Sequence, residues 1–355
     1  MGVDAYRGLA VILMYVVHAR RLQPNRHWQG SERLAESVLS WLMWGEPFIA
    51  ASFLFIVGFS LVLSRSRTCD RRAWLRRLLW RALGLYALAV LLFLPHYGMA
   101  FPDLLVSPGI LSAIAVAIAS VGAALATPRP GVATSVLAAG GLVVAGALET
   151  FDISVSGLNA GPGGALPLLS FAAGGALVAL GYERWGWRTL DVVAGVSIVP
   201  LAVVLLAGAP WTDLHASVHP DYGGEVALTE IFTVPRAEAR LVFWNHTVAG
   251  CLGLLLPLSA VLRVFVLLTP TLNRLPMSLV GLIGRHALLA YVGHLVVLGV
   301  LELSGLGPRS PWHTWALVAA LCAAAAGTAA GIEAWKRRPT SAPDRASVLG
   351  ADSRR

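Results

Sequence analysis

The chain has 355 residues, 57% of them hydrophobic and 13% charged, and its mean hydropathy is +0.71. A water-soluble domain cannot hide that much apolar surface, so the composition argues against a soluble enzyme and for a polytopic helical membrane protein. The net charge is +8, but the basic residues are arginines apart from Lys336 and gather in particular loops, without the aromatic-and-basic interleaving typical of a nucleic-acid groove. That pattern fits a membrane-orientation signal and not nucleic-acid binding.

Apolar runs long enough to span a bilayer lie near 4–19, 47–64, 78–95, 107–126, 131–148, 165–182, 189–208, 241–266, 283–303 and 313–334. By the criterion of roughly twenty apolar residues per span they predict about ten helices. The expected fold is all-α: a polytopic integral membrane helical bundle over 1–335, followed by a polar, Pro-containing cytoplasmic tail, 336–355, expected to be disordered.

The first run, Asp4 to His18, carries ionisable groups at both ends. At about 100° per residue, Asp4, Arg7, Val11, Met14 and His18 share one face. Arg7 and His18 are then about 20° apart in azimuth and roughly 16 Å apart in height. Charges in a spanning helix are costly and usually face a bundle interior or an aqueous cavity. The competing reading makes Asp4 and Arg7 interfacial anchors and lets His18 simply end the helix. No basic n-region or cleavage site precedes this helix, so it is expected to be retained as an anchor.

Between the second and third runs lies an arginine-dense segment, Arg65 to Arg77, with Arg81 just beyond, which marks the cytoplasmic side. Ten spans then place both termini inside. The first outer loop, with Arg20, Arg21, Arg26 and Arg33, is unusually basic for its side. The longest loop, about 209–240, is acidic and extracytoplasmic on this topology. Its His215 and His219 have helical spacing, but Pro220 and Gly223-Gly224 argue for a loop, and a metal site is not expected. An acceptor-facing lid is the better reading. Cys69, Cys251 and Cys322 are too scattered for a disulfide or metal framework. The chain has no evident internal repeat, which weakens a transporter reading.

Four polar groupings lie in or beside the spans: Asp4, Arg7 and His18; His27-Trp28-Gln29-Gly30; Glu46-Pro47; and the pair Trp244-Asn245-His246-Thr247 with Gly284-Arg285-His286 through His294. By topology His18, His27, Glu46, Asn245 and His246 fall toward the outer side, and Arg7, Arg285 and His286 toward the inner side. An imidazole near neutrality suits a general base for a hydroxyl or amine nucleophile. Glu46 is the candidate carboxylate to hold its tautomer. An inner guanidinium suits a phosphate-bearing donor arriving from the cytoplasm.

Arg7 and His18, separated by ten residues, resemble the Arg-x10-His signature of a membrane acyltransferase superfamily. Within it the chain is most similar to the branch named for the heparan-alpha-glucosaminide N-acetyltransferase catalytic domain, related to acyltransferase family 3. Val3-Asp4-Ala5-Tyr6-Arg7-Gly8-Leu9-Ala10 resembles the opening motif, and Ser52 to Leu61 the second-helix motif. Pro108-Gly109-Ile110-Leu111, Leu166 to Gly175 and Gly284-Arg285-His286-Ala287-Leu288 resemble later segments. Ser112 departs from the His or Gln that relatives often carry there.

The resemblance implies transfer of an acetyl or other acyl group from cytoplasmic acyl-CoA, without a metal, to a glycan or glycolipid hydroxyl or amine on the far side of the membrane. It implies a multi-pass protein of the cell (inner) membrane. It leaves open the acceptor, the acyl length, ester against amide, and whether the protein is a homodimer. His18 is the first candidate base, with His27 second and Glu46 beside them. Arg7, Arg285 and His286 are expected to bind the donor, and Asp4, Asn245 and His246 the acceptor. A transporter or flippase using the same charges along a permeation path is the alternative, and a structural protein with these residues as packing glue is a third reading.

Overall fold

A computed structural model describes residues 2–24, 28–43, 46–97, 105, 109–151, 153, 155, 158, 165–206, 248–272 and 277–337. The described elements are helices: α1 (Gly2–Arg21), α2 (Gly30–Met43), α3 (Glu46–Ser66), α4 (Arg71–Tyr97), α5 (Ile110–Ala126), α6 (Pro130–Thr150), α7 (Ala165–Trp185), α8 (Trp187–Leu206), α9 (Val248–Leu267), α10 (Thr269–Leu272), α11 (Met277–Arg285), α12 (Ala287–Leu303) and α13 (Pro311–Lys336). Helix stands at each of the ten apolar runs, so the chain is a helical membrane protein. Among the described residues, four helices are both long and apolar enough to cross a bilayer: Gly2–Arg21, Phe48–Ser66, Pro130–Leu148 and Pro311–Lys336. The expected count of ten full spans is therefore not reproduced.

Two differences from the sequence reading matter for the site. The run expected as one helix over 283–303 is broken at His286, where α11 and α12 meet at 85°. A further helix, α2, fills the first outer loop. It is too short to span, and its Glu36 ties it to the end of α1: Arg20 Nε donates at 2.8 Å and Gln23 Nε2 at 2.8 Å. Gln23 in turn accepts from Thr314 Oγ1 of α13 at 2.6 Å, so this buried polar chain is satisfied along its length. The tail expected to be disordered lies, from residue 338, outside the described residues.

Local chemistry sets the ends of these helices. Asp70 precedes α4 and its Oδ1 accepts from the backbone N–H groups of Arg72 (2.9 Å) and Ala73 (3.1 Å), an N-cap for otherwise unpaired donors. Those bonds, Ala73's foremost, hold the Asp70 carboxyl below the usual carboxylate range, helped by Arg77 and Arg76. Ser310 caps α13, with Pro311 as its first helical residue.

The centre of the bundle is α1 with α3 and α7. Tyr6, Met14, Tyr15, Phe55 and Phe171 are among the largest fully buried side chains. Apolar residues on α4, α6 and α12, such as Leu91, Val143 and Val300, face outward, as expected where lipid is the solvent. At the crossing of α1 with α11, two contacts need glycine. A Cβ on Gly8 would overlap the Val280 carbonyl, and one on Gly284 would overlap the Asp4 carbonyl. The backbones of α1 and α11 thus touch directly, as small residues allow in membranes.

A cationic cavity and a buried histidine pair

The α1–α11 crossing builds the first part of the site. Because glycine brings the backbones together, the carbonyl of Gly284 lies within reach of Arg7 Nη1 at 3.2 Å. The same nitrogen bonds Asp4 Oδ1 at 3.3 Å, and Nη2 donates to Ser60 Oγ of α3 at 2.9 Å. Arg7 therefore faces the bundle, not lipid, and its guanidinium is fixed by three partners from three helices. The anchor reading of Arg7 does not describe this arrangement.

Arg7 opens onto a cavity of about 530 Å³ between α1, α3, α4, α5 and the bend from α11 to α12. Arg7, Arg81, Arg285 and His286 line it on the polar side, and Phe53 and Tyr291 are among its apolar walls. Neither Arg81 nor Arg285 makes an ion pair among the described residues, whereas Asp4 is bonded to Arg7. Three guanidiniums against two nearby carboxylates, Asp4 and Glu333, leave the cavity with excess positive charge, the electrostatic condition for an anionic ligand. Its volume lies within the few hundred to about 1,000 Å³ typical of small-molecule sites. His286 Nε2 is 3.0 Å from Glu333 Oε1 on α13, a contact that pins the bend.

The other end of α1 carries a different chemistry. His18 Nδ1 lies 2.9 Å from Nε2 of His294 on α12, and the two rings stack with centroids 5.1 Å apart. His294 is 1% exposed and is held between Tyr15, at 4.8 Å, and Tyr291, at 5.1 Å. The Tyr15 hydroxyl donates to the Ala290 carbonyl at 3.0 Å, which ties α1 to α12 at this level. Tyr291 also lines the cavity. One aromatic ring thus stands between the cationic cavity and the histidine pair.

Of the residues singled out from sequence, Arg7, Arg285 and His286 meet in the cavity. Asp4 sits with Arg7 at the cationic end. His18 is not among the cavity's lining residues and joins it through His294 and Tyr291. Glu46 begins α3. His27, Asn245 and His246 lie outside the described residues, as do His215 and His219. Sequence reasoning missed Arg81, Ser60, Tyr291 and His294 as site residues. Arg81 was read as part of the cytoplasmic arginine cluster. Tyr291 and His294 carried a usable signal, being three apart on one helix face and close to Arg285.

A bundle of apolar helices enclosing a cationic cavity marks an integral membrane protein whose cavity has the charge and size to suit an anionic small molecule. The family model for the catalytic domain of heparan-alpha-glucosaminide N-acetyltransferase matches residues 1–214, more than half of the chain, and the chain belongs to that family. It is accordingly a member of a membrane acetyltransferase family. A search of curated proteins returns no match. The matched stretch covers α1 to α8 and so contains Arg7, His18 and Arg81, while Arg285, His286 and His294 come from the helices beyond it.

Proposed function

We propose that the protein moves an acetyl or other acyl group from cytoplasmic acyl-CoA to a hydroxyl or amine of an extracytoplasmic glycan or glycolipid. The proposed orientation takes the arginine-dense segment around 65–81 as cytoplasmic and both termini as inside. The donor's phosphates sit at Arg7, Arg81 and Arg285, with His286 beside them. The apolar walls at Phe53 and Tyr291 take the uncharged arm that carries the thioester. His18 accepts the proton of the acceptor's O–H or N–H as the oxygen or nitrogen attacks the thioester carbonyl. The tetrahedral intermediate collapses with cleavage of the C–S bond, and the proton leaves His18 with the CoA thiolate as the free thiol. His27 is the second candidate for this role, with Glu46 beside it, and Asn245 and His246 are proposed to contact the acceptor.

The observation that carries the reading is one helix presenting a cavity-facing guanidinium and, roughly 16 Å along, an imidazole that reaches that cavity through His294 and Tyr291. The supporting experiment is acyl transfer from labelled acetyl-CoA in proteoliposomes. His18→Ala is expected to lower kcat by about 10²–10⁴-fold, the usual worth of a general base. Full activity in both His18→Ala and His27→Ala would reject the histidine assignment. The break at His286 has a counterpart in transporters, where discontinuous helices form substrate sites. Anion flux in the absence of any acceptor or acyl transfer would favour that alternative.

A further inference from the structure

We propose that His294 is a positioning residue that holds the His18 imidazole in its Nδ1–H tautomer, so that Nε2 is the atom that accepts the acceptor's proton. This rests on the reading of His18 as the general base.

Two imidazole nitrogens 2.9 Å apart must have one hydrogen between them, since two lone pairs or two N–H groups would repel. Which ring supplies it is decided at the far side of His294. Its Nδ1 is buried and has no hydrogen bond of good geometry, and a side chain inside α12 leans over the preceding turn, whose backbone groups on that side are the Ala290 and Tyr291 carbonyls. Carbonyl oxygens only accept, so that nitrogen carries the proton. Nε2 of neutral His294 is then a lone pair, and the shared hydrogen belongs to His18 Nδ1. His18 Nε2 is left as the basic nitrogen.

The arrangement is rigid. His294 is clamped between Tyr15 and Tyr291, and Tyr15 fastens the same turn of α12 through the Ala290 carbonyl. The role parallels that of a carboxylate behind a catalytic histidine, but without a buried charge. When Nε2 takes the proton, the imidazolium's Nδ1–H remains bonded to the His294 lone pair, which stabilises the cation until the proton passes to the leaving thiolate.

The test uses full-length protein in lipid, labelled with 15N at histidine. Loss of signals in His18→Asn assigns His18. The wild type is expected to show His18 protonated at Nδ1 and unprotonated at Nε2; the opposite tautomer overturns the proposal whatever the variants do. In proteoliposomes, His294→Ala is expected to lower kcat about 10- to 10³-fold with KM for acetyl-CoA unchanged, because the cavity's arginines are untouched. His294→Gln, whose amide oxygen accepts from His18 Nδ1–H, is expected to recover most of that loss. Wild-type kcat in His294→Ala, or equal losses in the Ala and Gln variants, overturns the positioning role. Wild-type protein that shows the Nδ1–H tautomer but transfers no acyl group overturns the acyl-transfer reading and leaves the histidine pairing standing.

Discussion

Gly284→Ala tests whether the donor site depends on backbone contact between α1 and α11. An alanine Cβ would overlap the Asp4 carbonyl oxygen and come too close to the Gly8 nitrogen. Both are backbone atoms, so no side chain can rotate away and the helices must part. Overpacking of this kind costs about 1–3 kcal/mol. The shift also pulls the Gly284 carbonyl from Arg7 Nη1 and loosens the guanidinium that faces the cavity. The expected result is a lower melting temperature in detergent and a several-fold weaker affinity for acetyl-CoA, read by equilibrium binding. Gly281→Ala is the control: it lies on the same helix, one turn earlier, and its added methyl meets no atom. That variant is expected to be neutral or to gain up to about 1 kcal/mol of helix propensity. Equal melting and binding for Gly284→Ala and Gly281→Ala would refute the reasoning.

The remaining predictions concern three other residues. Arg81→Gln is expected to weaken acetyl-CoA binding about tenfold without lowering the melting temperature, since Arg81 lines the cavity and makes no ion pair among the described residues; unchanged binding would remove it from the donor site. Tyr291→Ala deletes the ring between the cavity and His294, so water is expected to reach the thioester and acceptor-independent hydrolysis of acetyl-CoA to rise, measured as free thiol release. Asp70 gives a pH dependence. Its carboxyl is held below the range of an unfolded aspartate, about 3.9, chiefly by the Ala73 N–H. Its contribution to the start of α4 is therefore complete above that value and lost as pH falls through the lower folded one. The protection of the Arg72 and Ala73 amides from exchange, relative to their intrinsic rates, is expected to fall over that interval in wild type and to be low throughout in Asp70→Ala.

Much of the architecture was legible because the bilayer imposes long apolar runs, and helix stands where each run lies. The count of spans was less legible. A run such as 283–303 records apolarity, but not the 85° break at His286, where Glu333 of the distant α13 partners the ring. The α2 helix was missed because its stabilising contacts are with other elements, Glu36 with Arg20 and Gln23, and its own run is too short to register as a span. Within the site, the α1 face was readable from helical period alone, and Arg7 with His18 followed. Arg81 was not, because an arginine at the cytoplasmic end of a helix has the same sequence signature whether it anchors the helix or lines a cavity.

On the proposed mechanism, the positions of Arg7 and His18 on one helix impose a condition on the donor. Arg7 is immobilised by Asp4, Ser60 and Gly284, so an anion bound there cannot carry its reactive group to His18 by moving the cation. The ligand itself must span the distance, and it must cross apolar walls set by Phe53 and Tyr291 to do so. A compact anion satisfies the first half of the cavity and never meets the histidine pair. A molecule with phosphates at one end, an extended uncharged arm, and a transferable group at the far end satisfies both. Acyl-CoA has that form, and it is the requirement for length, set by a fixed guanidinium, that favours it over a small permeating anion.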